Sequence, residues 1–493
     1  MIVMKFGGTS LGDGEAINRA VDIVCQTLKD KGLVVVVVSA MSGVTDTLLA
    51  AATSAAQGDA EAFRRARWRL TDRHRLAITE VLSYEETRGQ LMEEIEALLS
   101  DFESLCRSIH IMGELTARGS DAVASLGERL MARILAAALR DRGERATAVE
   151  ATEAIVTNGK HGAAVPLMDE TREAAQARLM PLLAEGVTPI VTGFIAATKD
   201  GVTTTLGRGG GDYTAAILAA SLDSDEVWIW TDVDGVMTAD PRVVPQARTL
   251  PEISYAEAAE LSYFGAKVLH PKTILPAVER GIPLRILNTF NPPSFPPACG
   301  GEERGGGTLV VAEAEPGEFA VKGITSIKGL SLVTVEGRGM LGVPGIAARV
   351  FTAVAQEGIS VLMISQSSSE QSICFIIRQE TVDRALKALE AAFETELARR
   401  NVDRIWAQDK VAIVAVVGAG MKGTPGIAGK VFGALGKRGV NVISIAQGSS
   451  EYNISFVVDE EDMENTVRYI HQEFGLGRRP EAASLTVEGR SGC

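Results

Sequence analysis

The pattern of apolar and polar positions divides the chain into an alternating part and a repeated part. Near the start, "IVMKF" and "LVVVVVSA" are strand-like and flank an amphipathic helical segment over residues 15–30. Strand, crossover helix and strand in that order predict a right-handed βαβ unit. Five consecutive valines without alternation predict a strand covered on both faces. A polar, helix-rich stretch over about 46–121, containing "EETRGQLMEEIEALLSDFESL", predicts a helical excursion on the sheet. "VTPIVTGFIAAT" and "EVWIWTDVDGV" resume the strands, and "IPLRILNTF" is expected to close the sheet. "NPPSFPPACGGEERGGG" then breaks all periodicity, which marks a loop or a boundary.

Beyond that break the chain repeats itself. "VEGRGMLGVPGIAARVFTAVAQEGISVLMISQSSSEQSICFII" returns 81 positions later, without a gap, as "VVGAGMKGTPGIAGKVFGALGKRGVNVISIAQGSSEYNISFVV". The period exceeds that of a solenoid, so two tandem small α/β domains are expected. Each copy matches G-x-G-x-x-G, yet the acidic residue that a dinucleotide site places about 20 positions on is replaced by "MISQ" and "SIAQ". The order βαββαβ with antiparallel pairing does not make a dinucleotide crevice.

Length and charge narrow the class. A chain of 493 residues holds two or three domains. A net charge of −14 argues against nucleic acid as a main partner, although local cations and glycines can still bind a nucleotide. Five scattered cysteines (Cys25, Cys106, Cys299, Cys374, Cys493) lack metal-ligand spacing and suggest a reducing cytoplasm. The opening "MIVMKFGGTS" lacks the features of a signal peptide. No apolar run approaches the roughly 20 residues of a membrane helix.

Candidate chemistry collects where strands end. "KFGGTS" (residues 5–10) offers Lys5, Gly7 and Gly8 to an anion before a helix, or else forms a tight turn with a surface lysine. In "SAMSGVTD", Ser39, Ser42 and Thr45 can bind a small polar substrate or merely cap the next helix. "LGRGGGD" joins Arg208 to Gly209, Gly210 and Gly211, whose N–H groups would be open to a phosphate, and Asp212 starts a helix. Thr231 and Asp232 of "TDVDGV" and Lys267 of "FGAKVLHP" add to the set. None of five histidines sits in a catalytic or metal-ligand pattern, and His270 before Pro271 reads as a packed turn residue. A reaction without a base suits an already ionised nucleophile, such as a carboxylate receiving a phosphoryl group.

Taken in order, "KFGGTS", "VVVVVSAMSGVTD", "SLGERL", "VTGFIAAT", "TTTLGRGGGDYTA", "WTDVDGVMTADPR" and "ELSYFGAKVLHP" resemble aspartate kinase. The resemblance implies an α/β amino-acid kinase fold, a mostly parallel sheet sandwiched by helices, over 1–310. Two ACT-like βαββαβ regulatory domains follow over 321–400 and 401–480, then a tail over 481–493. It implies that the strand 321–329 pairs with the second ACT domain. The implied reaction is phosphorylation of the L-aspartate side chain by ATP, with Mg2+ accompanying the nucleotide, in the cytoplasm, as a homodimer or tetramer through the ACT domains. Lys5, Gly7 and Gly8 would meet the transferring phosphoryl group, and Asp212 would organise it. Ser39, Thr45, Glu128 and Arg208 would hold aspartate, with Glu128 on its ammonium and Arg208 on its α-carboxylate; alone, Glu128 would read as a helix surface charge. Gly209, Gly210, Thr231, Asp232, Arg242 and Lys267 would line the nucleotide side. No protein side chain is assigned to a metal.

Two positions depart from the family: Gly211 stands where a serine is usual and Met237 where a tyrosine is common. In the repeats, Gln366, Gln447 and Asn453 would read an amino-acid effector, or the shared Gln and Ser-Ser-Glu close a turn. Leu362 replaces an aspartate frequent in lysine-inhibited relatives, which favours threonine over lysine as effector. A kinase of another amino acid, or a sensor that has lost turnover, remains the alternative.

Overall fold

The computed structural model describes residues 1–265, 269–293, 306–314, 320–366, 371–448 and 451–478. Two compact units emerge. The first comprises residues 1–236, 249–259 and 267–314, and the second 237–248, 260–266 and 315–493.

In the first unit, β1 (Ile2–Phe6) leads through α1 (Gly14–Lys31) to β2 (Val34–Val38). Asp13 caps α1 by accepting from Ala16 N–H at 2.9 Å, and Gly32 ends it at φ 81°. All five valines of β2 are buried, as their lack of alternation requires. The excursion is α2 (Val44–Ala56), α3 (Ala60–Val81), α4 (Glu85–Met112) and α5 (Ala117–Ala124), after which α6 (Leu126–Asp141) returns to β3 (Ala146–Val149). Leu91, Ile95, Leu98, Leu99, Phe102, Cys106 and Ile109 give α4 one apolar stripe, and it shares a core with Val36, Val38, Met4 and Phe6 of the sheet.

β4 (Val156–Thr157), α7 (Met168–Ala184), β5 (Thr188–Thr192), β6 (Ile195–Thr198), β7 (Thr203–Thr205), α8 (Gly210–Leu222) and β8 (Glu226–Thr231) follow. β9 (Glu252–Ser254), α9 (Tyr255–Tyr263, whose last four residues belong to the second unit), α10 (Leu275–Glu279), β10 (Leu284–Asn288) and β11 (Thr308–Val311) complete the series. The main sheet runs β3-β5-β2-β1-β8-β10-β11-β9 and is parallel except between β10 and β11. β10 therefore does not close the sheet as expected. The four-residue "TLVV" of β11 pairs antiparallel to it across the Pro/Gly-rich break, and so short a run carries little pattern. From β1 the chain winds outward through β2, then returns to place β8 on β1's other side. Ligands of open α/β sheets bind at the carboxyl edge of such a switch point.

The second unit contains β12 (Gly323–Glu336), α11 (Ile346–Gln356), β13 (Met363–Gln366), β14 (Ser372–Arg378), α12 (Val382–Ala392), α13 (Glu394–Ala398), β15 (Arg404–Val417), α14 (Ile427–Gly436), β16 (Ser444–Ala446), β17 (Asn453–Asp459) and α15 (Met463–Glu473). Its sheet runs β13-β14-β12-β15-β17-β16. The first half of β12, Gly323 to Ile327, pairs with Val417 to Ile413 of the second repeat. Its second half pairs with β14 and with Arg404 to Gln408 of β15.

The unit division also departs from a single cut near residue 310. Residues 237–248 fold into the second unit because Ala239 and Val244 join the core under α15. Thr238 Oγ1 lies 3.0 Å from His471 Nε2, and Arg248 Nε donates to Leu476 O at 2.9 Å. Among the described residues no helix is long and apolar enough to cross a membrane.

Candidate active site

At the carboxyl edge of β1 and β2, one cavity of about 400 Å³ gathers Lys5, Ser39, Thr45, Glu128, Arg208, Gly209, Gly210, Gly211 and Asp212, with Phe194 and Gly207. They come from several corners of the unit. Lys5 is the fourth residue of β1, and Ser39 follows β2 with its N–H on Phe6 O at 3.2 Å. Thr45 starts α2, and Glu128 lies in the first turn of α6. Gly127 makes the last placement possible: a Cβ there would stand 2.7 Å from that of Ala40, so any side chain would push α6 off the Ser39–Thr45 loop.

Two charge features dominate. Lys5 Nζ and Asp212 Oδ1 are 2.6 Å apart, nearly buried, in an approach too oblique to count as a hydrogen bond, so the contact is ionic. Glu128 is 4% exposed. Its Oε1 accepts from Ala40 N–H at 3.2 Å, while Oε2 has no partner among the described residues. Burial pushes its carboxyl up to about 8, against the lowering effect of the Ala40 bond. A buried carboxyl with a free oxygen facing a polar cavity is built to meet a cation. Arg208 stands exposed at the lip.

The three glycines serve three purposes, and Gly210 differs from expectation. Gly210 N–H is not open to a phosphate: it donates to Gly207 O at 3.0 Å, and a Cβ there would lie 2.6 Å from the Phe194 ring. Gly209, at φ 75°, starts α8 against Thr273. Only Gly211 faces the reacting side, where a Cβ would lie 3.1 Å from Lys5 Cε and from Ser39 Oγ. Gly7 N–H is likewise committed, to Trp230 O at 3.0 Å, and Gly8 packs on Ala40. Gly7 and Gly210 thus allow close approach of elements rather than supply free donors.

Phe194 is a cavity residue that the motifs did not single out. It sits at φ 67° after Gly193, its N–H donates to Thr214 Oγ1 at 3.0 Å, and its carbonyl accepts from Leu206 N–H at 2.9 Å. Its part is set by backbone geometry; the Gly-Phe pair after a buried strand is the only trace in sequence.

Thr231 ends β8 beside β1, and its hydroxyl bonds the Asp232 carboxylate at 3.2 Å. Neither lines the Lys5 cavity. Arg242 is exposed in the second unit and forks onto Asp240, with Nη2 at 2.7 Å, holding that carboxyl below its usual range. Lys267 lies outside the described residues. Met237 belongs to the second unit, where its carbonyl lies beside Gly323.

In the first repeat, Met340, Gly342, Val343, Pro344, Gly345, Ile346, Ala347, Ile373 and Gln366 line a cavity of about 300 Å³. In the second repeat, Gln447 is exposed, Glu451 accepts from Gly423 N–H at 2.8 Å, and Asn453 donates to Glu260 of α9. Leu362 O accepts from Tyr263 Oη at 3.1 Å.

Comparison with known proteins meets this geometry. Residues 1–288 match the model of the amino acid kinase family, and residues 333–393 and 414–474 each match an ACT domain. The chain is 36% identical to lysine-sensitive aspartokinase 3 of Escherichia coli, over 96% of this chain and 98% of that protein. It is 38% identical to a chloroplastic bifunctional aspartokinase/homoserine dehydrogenase of Zea mays, over 99% of this chain and 52% of that protein. The chain thus spans about half the length of several curated relatives it matches. The crystal structure of E. coli aspartokinase III with aspartate and ADP (R-state) superposes with a TM-score of 0.77 at 33% identity, covering 96% of this chain and all of that one. The same enzyme with lysine and aspartate (T-state) gives 0.76 at 34%, covering 96% and 99%. With a kinase sheet, a Lys5–Asp212 pair at its switch point and tandem ACT repeats, the chain belongs to the aspartokinases of the amino acid kinase family.

Proposed function

We propose that the chain phosphorylates the side-chain carboxylate of L-aspartate with ATP, giving 4-phospho-L-aspartate and ADP. This is the first step towards lysine, threonine and methionine, and cytoplasmic action is part of the reading. The observation that carries it is the single cavity uniting Lys5, Glu128, Arg208 and Asp212. Glu128 takes the substrate ammonium, and that charge favours its ionised form. Arg208 forks onto the α-carboxylate, while Ser39 and Thr45 donate hydrogen bonds. An oxygen of the ionised side chain then attacks the γ-phosphorus as the bond to the β-phosphate oxygen breaks. No proton has to move. Lys5 neutralises charge on the phosphoryl oxygens, and Asp212 fixes the direction of its ammonium. ATP arrives as its magnesium complex, and Thr231 and Asp232 edge the nucleotide side, with Lys267 as a further nucleotide ligand.

The ACT repeats make the enzyme a feedback-controlled dimer or tetramer. Gln366 and Gln447 read the effector, with Asn453 beside them. Threonine is favoured over lysine because Leu362 stands where lysine-inhibited relatives often carry an aspartate. E. coli aspartokinase 3 is by name lysine-sensitive, so the effector is this chain's own question.

A coupled assay of ADP release tests both levels. Turnover with aspartate and not glutamate, lowered by threonine, is the expected result. Turnover with another amino acid alone would make the chain a different kinase on this fold. No turnover with any amino acid would make it a sensor.

A further inference from the structure

Asp121 is a buried carboxylate that phosphoryl transfer leaves unused. It lies in α5 with 2% of its surface exposed, and three donors from two other segments converge on it. Thr205, the last residue of β7, donates its hydroxyl to Oδ1 at 2.5 Å. Gly162 N–H lies 3.1 Å from Oδ1 and 3.2 Å from Oδ2. His161 Nδ1 stands 2.7 Å from Oδ2. A carboxylate only accepts, so Nδ1 carries the proton in this pair.

What these bonds hold is the root of the glycine turn. Thr205 is followed at once by the 206–212 segment that carries Arg208 and Asp212. Ala164 N–H also donates to Thr205 O, at 2.9 Å. Gly207, at φ 78°, comes so near that a Cβ on it would lie 3.1 Å from Gly162 O. The 161–164 loop therefore backs directly onto a residue that lines the cavity. With Leu206 N–H on Phe194 O, the turn is fixed from both sides.

We propose that His161 is a positioning residue for the amino-acid substrate: through Asp121 it locks the root of the glycine turn and so sets where Arg208 meets the α-carboxylate. Its substrate rests on the aspartate-kinase reading; its geometry does not. Without the imidazole donor, Asp121 keeps Thr205 and the longer Gly162 bonds but loses its shortest tie to the loop that backs Gly207. The lip then wanders, and a small displacement of a substrate-orienting group is enough to cost rate.

The test compares wild type, H161L and H161N, since an asparagine amide can present N–H near the place of Nδ1. Two readouts are taken: steady-state constants for aspartate and ATP, and hydrogen exchange of ligand-free peptides covering 203–212. H161L should raise KM for aspartate about tenfold and leave KM for ATP within about twofold. It should also speed exchange in 203–212, and H161N should restore both towards wild type. Unchanged KM for aspartate and unchanged exchange in H161L would overturn the proposal. So would equal rises in both KM values, or an H161N no better than H161L. Wild type inert towards aspartate would instead overturn the functional reading, while the exchange comparison still decides the clamp.

Discussion

The Lys5 cavity and the first-repeat cavity are both built on a glycine-bearing turn between a strand and a helix, yet they offer a ligand opposite surroundings. The first brings four ionisable side chains to one space: Lys5, Glu128, Arg208 and Asp212. The second shows none among its described lining, only apolar side chains, the backbone of 342–347 and Gln366. A catalytic site has to hold charge in place, because the transition state is charged and its neutralisers must be preorganised. A sensor has only to distinguish and release, which backbone groups and one amide do with little desolvation cost. Selectivity in the one should therefore respond to pH and to charge removal, and in the other to shape and hydrogen bonding.

The sharpest way to break this contrast is to remove the ammonium from the catalytic cavity. K5A is expected to lower kcat by about 10³-fold, with KM for aspartate little changed, as for loss of a group acting chiefly on the transition state. A single-turnover measurement with saturating ATP checks it. A mere rise in KM would make Lys5 a binding residue.

Glu128 gives the next largest effect. E128Q should raise KM for aspartate by about 10- to 100-fold, the scale of a lost charge-assisted hydrogen bond. Its titration adds a sign. Burial lifts the empty-site carboxyl to about 8, so near neutral pH it is mainly protonated and must release a proton to take the substrate ammonium. KM for aspartate should then fall as pH rises from 6 to 8, and calorimetry in buffers of different ionisation enthalpy should show proton release. The ligand-free protein should behave in the opposite sense. A carboxyl raised above its ordinary 4.5 stabilises the fold below that value and loses this as pH climbs through about 8. E128Q should flatten that decline in a thermal melt series.

On the sensor side, Q366A should raise the threonine concentration for half-inhibition about tenfold without altering kcat, a hydrogen-bond-sized effect. Q447A should do less, since Gln366, unlike Gln447, lines the first-repeat cavity. Inhibition curves unmoved in Q366A would remove its assigned role. The smallest effect is expected from G211S, the residue usual in the family. Its Cβ would press Lys5 Cε and Ser39 Oγ at 3.1 Å, so a few-fold drop in kcat/KM is expected from the displaced lysine. A gain would mean that the missing hydroxyl matters more than the room.

These contrasts bear on what could be read in advance. That Lys5, Ser39, Thr45, Glu128, Arg208 and Asp212 meet in one cavity was legible, because each lies near a strand end or opens a helix within a specific motif. Arg242 was not. Its segment carries a kinase motif but folds under α15, a fact decided by Ala239 and Val244 finding apolar partners more than 150 residues away in the chain. The glycine turn was legible as a turn, but the commitment of Gly7 and Gly210 N–H to protein carbonyls was not, since hydrogen-bond partners depend on neighbouring strands. Asp121 and His161 carry no pattern at all; 40 residues separate them, and only the return of the chain along β7 makes them a pair.

The two long strands β12 and β15 leave an imprint on how the chain is made. Residues 323–327 leave the ribosome before the whole first repeat, yet their sheet partners are 413–417, in the second. Until those partners emerge the segment is an open strand edge, the kind that recruits neighbours in a crowded polysome. A nascent chain stalled within the first repeat should accordingly be sticky, and one extended beyond residue 459, where β17 is complete, should not.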